Sequence, residues 1–559
     1  MIAGILILHA YAVIGHLCKT INVPKLNLRD RVLSTTIERS STWDTMRFYV
    51  DWSQLDSYDK EEYEKYIDAA FVYFSNALEV HQITSSSSWD EFYDYDNSYC
   101  QAFFDRFTGK VIQDTDMLVI ITSEYNSGEN YAGYSTTCGK DPVTNQPIGT
   151  LININTAYID TSDNSVDEFI MLMTHELCHS LGFSYDSMTD FIKSDGSLYS
   201  EDELFTYKDI RGLTDQKFLS TPKVKELARA AFGCSSLPGV QLENQGGDGS
   251  IYQHWDKRMV GTEFMNPQLL NSDAVYSDLT LAVFEDSGWY KPDYSYGTQI
   301  NFGYEKGCDF IDLRCIIDEE PLSDEFCVDD SKTLCDFSHL SYGSCGLYEY
   351  DYISEEFQYF SDETLGGDYF LDYCPVNKRN YDCRSDNYAD SDLGEKYCLD
   401  CRCVEGTFSL TEAYSHASCH EITCYDSNFD VTIGDITVTC NTDGEELEID
   451  GFYGTMICPS FDKVCADVPC RNNCFGGKCV NGRCKNGGDE DGFSGEEYPD
   501  YGGTTPESSE SSNSESSESS NSESFESSSS SDYGDLDYYI VSGQASFMKL
   551  YLVYLVLEN

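Results

Sequence analysis

The stretch MTHELCHSLGFSYD, residues 173–186, sets two histidines four positions apart with a glutamate between them. On a helix, positions i and i+4 share one face, one turn apart. His175 and His179 can therefore turn imidazole nitrogens towards a common cation, and Glu176 lies within reach of a water beside it. Two neutral ligands, an adjacent carboxylate and a water are the parts of a zinc hydrolase. The plainer alternative is a pair of satisfied core histidines beside a surface glutamate. Cys178, inside the motif, reads most simply as a small buried apolar group.

A hydrolytic zinc needs three protein ligands and one open position. In the contiguous pattern H-E-x-x-H-x-x-G-x-x-H the third histidine follows a glycine bend. Here Gly182 is present, but Tyr185 occupies the place of the last histidine. Downstream candidates are His254, His339, His416 and His420, and Tyr185 itself is a further possibility. His254 stands in GSIYQHWDKRMVGTEFMNP, with Met265 shortly after it and just before Asn266 and Pro267. A histidine followed by a methionine in a tight turn is the metzincin arrangement. His254 lies 75 residues beyond His179, so an insert would have to loop out and return the chain to the site.

These residues, together with SLPGVQLENQGGDGS (236–250), TLAVFEDSGWYKPDYS (280–295), GCDFID (307–312) and FQYFSDETLGGDYFLDYCPV (357–376), resemble the leishmanolysin family of metalloproteinases. The resemblance runs from about Met46 to Cys383. It implies a metzincin-type α+β catalytic domain with a long insert between the second and third zinc ligands, followed by a disulfide-rich C-terminal domain. It implies one catalytic Zn²⁺ held by His175, His179 and His254, with Glu176 catalytic and Met265 the methionine of a structural Met-turn. The implied activity is endopeptidase cleavage of extracellular or surface proteins. A non-enzymatic surface adhesin built on the same scaffold is the rival reading. The family carries a propeptide whose cysteine caps the zinc; here only Cys18 could do so, on a short segment. Asp256, Arg258 and Glu263 are near enough in sequence to support the site, although ordinary surface charges are the default expectation.

The elements that must position these groups follow from periodicity. VDEFIMLMTHELCHSLGF carries apolar residues at a helical period, with Asp163 and Asn164 as cap-like residues and Gly182 as a stop. MRFYVDW (46–52), MLVIITS (117–123) and GTLININTAYI (149–159) read as strands; KEEYEKYIDAAFVYFSNALEVH (60–81) and VKELARAAFGC (224–234) read as helices. GTLININTAYI is the expected exposed edge along the cleft, where an extended peptide could add a strand.

Composition sets the context. With 35 Lys+Arg against 98 Asp+Glu the net charge is −63, which argues against nucleic acid and against electrostatic binding to anionic lipid. Of 24 cysteines, nineteen fall between Cys308 and Cys484, the density of a disulfide framework in an oxidising compartment. CLDCRC (398–403) would suggest zinc clusters in a cytosolic protein, and CADVPCRNNCFGGKCVNGRCKNG (465–487) resembles a small stapled module. The expected layout is a signal peptide at 1–17, a remnant prosegment at 18–45, a catalytic subdomain with the motif helix at 46–182, and the insert with the third histidine and Met-turn at 183–300. A cysteine-rich domain at 301–490, a Ser/Glu-rich disordered stalk at 491–532 and an apolar tail at 533–559, a candidate lipid-anchor signal, complete it. The protein would then pass through the secretory pathway to the cell surface or the medium, with protein or peptide substrates and attachment to a membrane through the tail.

Overall fold

A computed structural model describes residues 37–485, apart from 56, 85–97, 108, 130, 160–165, 248, 269–273, 386, 466–469, 471–472 and 481–482. The expected signal peptide, prosegment cysteine, helix-cap residues Asp163 and Asn164, Ser/Glu tract and apolar tail lie outside the described residues. Among those described, no helix is long and apolar enough to cross a membrane.

The N-terminal half runs β1 (Arg39–Thr45), β2 (Phe48–Gln54), α1 (Ser57–Ala77), β3 (Leu78–Ile83), α2 (Ser98–Phe104), β4 (Met117–Glu124), β5 (Gly133–Lys140), β6 (Pro147–Asn155) and α3 (Val166–Leu181). A four-stranded sheet has the order β2-β4-β6-β5, with β2, β4 and β6 parallel and β5 antiparallel. All nine residues of β6 are buried, as a central parallel strand covered on both faces requires. α3 is buried without a break from Phe169 to Leu181. It is wedged between α1, where Phe169 meets Tyr63 and Tyr66 edge-on, and the sheet, where Thr150 Oγ1 donates to Ser180 Oγ at 2.9 Å.

Two expectations need correction. The helix expected at 60–81 ends at Ala77, and residues 78–81 enter β3, which pairs antiparallel with β1 and with β10 (Tyr290–Pro292). LEVHQI alternates buried and part-exposed positions, the period of a strand, and pairing on both sides outweighs the helical pattern leading into it. The expected edge strand is interior: β6 lies between β4 and β5, and β5 is the edge. A continuous apolar run marks a central strand, while the glycine- and threonine-rich GYSTTCGK suits the border.

Residues 183–253 form α4 (Tyr185–Met188), α5 (Glu201–Leu204), a β7–β8 hairpin (Phe205–Ile210, Leu213–Leu219), α6 (Pro222–Ala231) and β9 (Val240–Gln241). α7 (Lys257–Val260) and α8 (Asp278–Asp286) follow. The C-terminal region contains a six-stranded sheet ordered 436–440, 429–433, 416–424, 401–406, 455–457, 446–448. CLDCRC is disulfide-bonded: Cys398 pairs with Cys401, and Cys403 with Cys335. The small module is not self-contained. Cys470–Cys479 and Cys474–Cys484 close within it, whereas Cys465 reaches back to Cys424. The fold is mixed α/β with a disulfide-rich C-terminal region.

Candidate metal centre

The three imidazoles named from the sequence converge. His175 Nε2 and His179 Nε2 are 3.1 Å apart, and each is 3.2 Å from His254 Nε2. The helix supplies the first two. His254 arrives on a stretch whose backbone lies along 241–243: Glu243 N donates to His254 O at 2.9 Å and Asp256 N to Gln241 O at 3.0 Å.

Each ring is oriented from behind by a carbonyl. His175 Nδ1 faces Phe264 O at 2.8 Å, His179 Nδ1 faces Phe183 O at 2.5 Å, and His254 Nδ1 faces Ser250 O at 3.2 Å. A carbonyl only accepts, so each Nδ1 carries the proton and each Nε2 is left with a lone pair. The Phe183 carbonyl is placed by the helix end. Phe183 N bonds to Cys178 O and Gly182 N to His179 O, both at 3.1 Å, a Schellman closure. It needs Gly182 at φ +127°, where an added Cβ would stand 2.9 Å from Trp289 Cζ3. The Phe264 carbonyl belongs to the turn that carries Met265, a fully buried residue whose own carbonyl accepts from Trp255 N at 3.0 Å. One turn thus braces both the helix and the returning strand.

Burial, reinforced by the neighbouring His179, pushes His175 down to about 3; burial takes His179 to about 4, and burial with both neighbours holds His254 well below the usual imidazole range. The rings are neutral at physiological pH, and three unprotonated nitrogens point at one another. Such a cluster repels itself unless a cation sits among the lone pairs. Tetrahedral zinc at about 2.0–2.1 Å spaces imidazole nitrogens roughly 3.3 Å apart, close to the observed separations. The donor set therefore fits zinc.

Glu176 is fully buried on the sheet side of the helix. It packs against the first residue of β5: a Cβ on Gly133 would meet Glu176 Cγ and Oε1 at 3.4 Å. The border strand thus begins beside the carboxylate. His179, 8% exposed, is the most open of the three imidazoles. Among the described residues Cys178 is the free cysteine; it is buried, with its thiol held well above the usual range by burial. His339, His416 and His420 stand in the C-terminal region and do not join the cluster.

The default reading of Asp256, Arg258 and Glu263 as surface charges is overturned, since all three are fully buried. Asp256 caps α7, accepting from Met259 N at 3.0 Å. Arg258 lies over the rings of Phe310 and Phe326, 4.7 and 4.5 Å from their centroids, and donates to Phe310 O. Glu263 accepts from Ser277 Oγ at 2.7 Å and from Thr280 Oγ1 and Met265 N, each at 2.5 Å. A charge is buried where enough partners surround it; beside the local amides of Met259 and Met265, the partners are Ser277, Thr280 and Phe310, and Arg211 at 3.7 Å from Asp256, all remote in sequence, so a local reading cannot find them.

A model of the family described as leishmanolysin matches residues 63–472. A leishmanolysin-like peptidase of Caenorhabditis elegans is 26% identical over 456 residues, taking in 64% of this chain and 67% of its own. A leishmanolysin homolog of Crithidia fasciculata is 28% identical over 397 residues, 66% of this chain and 58% of its own. Leishmanolysin of Leishmania donovani is 32% identical over 273 residues, 47% of this chain and 43% of its own.

Proposed function

The chain belongs to the leishmanolysin family of peptidases, and from that premise we propose that it is a zinc-dependent metalloendopeptidase acting on extracellular or surface proteins. The observation that carries the reading is the triad of neutral imidazoles with each Nδ1 committed to a carbonyl and each Nε2 turned inward. In this reading His175, His179 and His254 hold one Zn²⁺, in a metzincin-type domain interrupted by the insert at 183–253. The metal would supply Lewis acidity and a lowered pKa for water.

The residues of the chain do the rest. Glu176 takes the proton of the attacking water, then delivers it to the nitrogen of the departing amine. Its burial against Gly133 fixes the carboxylate beside the border of the sheet. A peptide laid antiparallel to β5 would add a strand there, so main-chain bonds give affinity with little sequence demand. Met265 would not bind the metal. Its turn presents the Phe264 carbonyl to His175 and forms an apolar floor. The disulfide framework suits an oxidising compartment, hence secreted or surface substrates. In this reading the chain is laid out as signal peptide, prosegment, split catalytic unit, cysteine-rich domain, stalk and tail.

The test is Glu176→Gln in the full chain, with zinc per chain and cleavage of an unstructured protein measured together. One zinc retained and turnover lowered about 10²–10⁴-fold is expected. Undiminished turnover, or a wild-type protein that takes up no zinc, would sink the reading.

A further inference from the structure

The β7–β8 hairpin turns on two residues, Arg211 and Gly212, between the paired Ile210 and Leu213. Both have positive φ, +55° and +89°. A tight turn of this kind favours Asn-Gly or Gly-Gly, because a long side chain is strained in the left-handed region. An arginine there departs from local preference, and its side chain is 2% exposed. Arg211 Nη2 donates to Gln241 Oε1 at 2.8 Å and to Asp372 Oδ2 at 3.0 Å. Asp372 also has a left-handed backbone, φ +54°, as does Tyr373 after it, φ +58°. Strain on both partners of one buried ion pair persists only where the surroundings fix it.

Asp372 belongs to Asp368–Asp372, a segment of the cysteine-rich region anchored two residues later by Cys374–Cys315. This segment brackets the third histidine. Before His254, Gln245 Nε2 donates to Asp372 Oδ1 at 3.1 Å and to Tyr369 O at 2.7 Å, and Gly246 N donates to Tyr369 Oη at 3.2 Å. After it, Lys257 Nζ donates to Asp368 Oδ2 at 2.9 Å. From the other side, Arg211 holds Gln241, whose carbonyl accepts Asp256 N. His175 and His179 need no such support, because one helix sets their spacing.

We propose that Arg211 and Asp372 are a positioning pair through which the cysteine-rich region holds His254 in register with the other two imidazoles, so that zinc affinity depends on a latch remote from the metal. This rests on the metal-centre reading above. The cysteine-rich region is then part of the metal site rather than an appendage to it.

The test uses the full chain in three forms: wild type, Asp372→Asn, and Arg211→Met with Asp372→Leu. Removing one partner of a buried pair strongly destabilises, whereas replacing both with apolar residues of similar volume often leaves stability intact; Arg211 Nη2 also lies 3.7 Å from Asp256 Oδ1, so Asp372→Asn, which keeps that contact, controls for a loss at Asp256 in the double variant. Circular dichroism checks the fold. Zinc affinity is read by competition with a chromophoric chelator, and Co²⁺ substituted for zinc reports the ligand field in the visible spectrum. The expected result is a folded double variant that binds zinc about 10–100-fold more weakly, with altered Co²⁺ bands, and an affinity loss in Asp372→Asn at least as large. A folded double variant with wild-type affinity and wild-type Co²⁺ bands overturns the latch and leaves the metalloendopeptidase reading standing. A wild-type chain that binds no zinc overturns both.

Discussion

Glu263 offers the sharpest quantitative prediction. Its carboxyl is fully buried beneath the turn that carries Met265, and burial raises it from 4.5 to about 7 against the opposing pull of Thr280, Ser277 and the Met265 amide. In the unfolded chain it ionises near 4.5. Between those two values the unfolded state has lost a proton that the native state keeps. Stability therefore falls as pH rises through this window. The span of 2.5 units at about 1.36 kcal/mol per unit gives roughly 3 kcal/mol, felt in full just above pH 7.

Glu263→Gln keeps the shape and cannot ionise. Its Oε1 can accept from Met265 N while its amide nitrogen faces the Ser277 and Thr280 hydroxyls, which accept as well as donate. At pH 5 both side chains are neutral and the two proteins should be of similar stability; by pH 8 the variant should be the more stable by roughly 3 kcal/mol. The readout is hydrogen exchange of the peptide spanning Trp255–Met265, corrected for intrinsic rate, because Trp255 N bonds to Met265 O and Met265 N to Glu263. Wild-type protection should drop by about two orders of magnitude between pH 5 and pH 8 relative to the variant. A difference between the two proteins that stays constant across that range, or widens in favour of the wild type, would refute the reasoning.

Two further outcomes follow from the same geometry. Gly133→Ala would place a Cβ 3.2 Å from Asn153 O and in van der Waals contact, 3.4 Å, with Glu176 Oε1, so β5 must shift by a few tenths of an ångström from Asn153 beside the carboxylate; turnover should fall about tenfold with zinc retained, and unchanged turnover would argue that this packing is not critical to the carboxylate. Chelation leaves three neutral, inward-facing imidazoles with pKa values held below 6.5, and burial is the main cause for each. The unfolded chain takes up protons there first, so these rings cost the metal-free protein stability as pH falls below about 6.5, opposite in sign to Glu263; the readout is the metal-free urea midpoint relative to that of a His175→Gln variant, and a gap between the two that does not move over pH 7.5 to 5 would count against a buried neutral ring.

What was legible in the sequence divides along a physical line. The helix bearing His175 and His179 follows from its apolar period, and its stop at Gly182 from the backbone freedom that only glycine has at φ +127°. His254 and Met265 were legible as a pair because the turn that carries one braces the chain that carries the other. LEVH reads locally as the end of a helix because a strand gains its stability from partners, here β1 and β10, that no local window contains. The border strand escapes a local reading for the same reason: apolar runs report burial, and burial is greatest in the middle of a sheet. Asp256, Arg258 and Glu263 read locally as surface charges because groups that satisfy them come from Arg211, Ser277, Thr280, Phe310 and Phe326. Arg-Gly in a two-residue hairpin turn conflicts with the local preference for Asn-Gly, and such conflicts mark positions whose side chains are used elsewhere.

Tyr185 stands where a contiguous motif would place its third histidine, and its surroundings explain how the site does without one there. Its backbone N donates to Gln253 Oε1 at 3.1 Å, so the residue just before His254 is docked on it. Its ring stacks on Phe205, 5.4 Å between centroids, and its hydroxyl accepts from Lys217 Nζ at 3.2 Å. Lys217 sits over four rings, those of Tyr185, Tyr252, Phe205 and Tyr207, at 4.3 to 5.2 Å from their centroids. A largely buried ammonium held this way favours one arrangement of the rings around it. Position 185 therefore no longer offers a nitrogen; it offers a seat for the chain that does. A helix can set two imidazoles by its own period, but a ligand returning after 75 residues has no local geometry to rely on. Its placement must come from contacts on every side: the Tyr185–Lys217 cluster against Tyr252 and Gln253, the Gln241–Glu243 backbone along His254 itself, and the Arg211–Asp372 pair behind them.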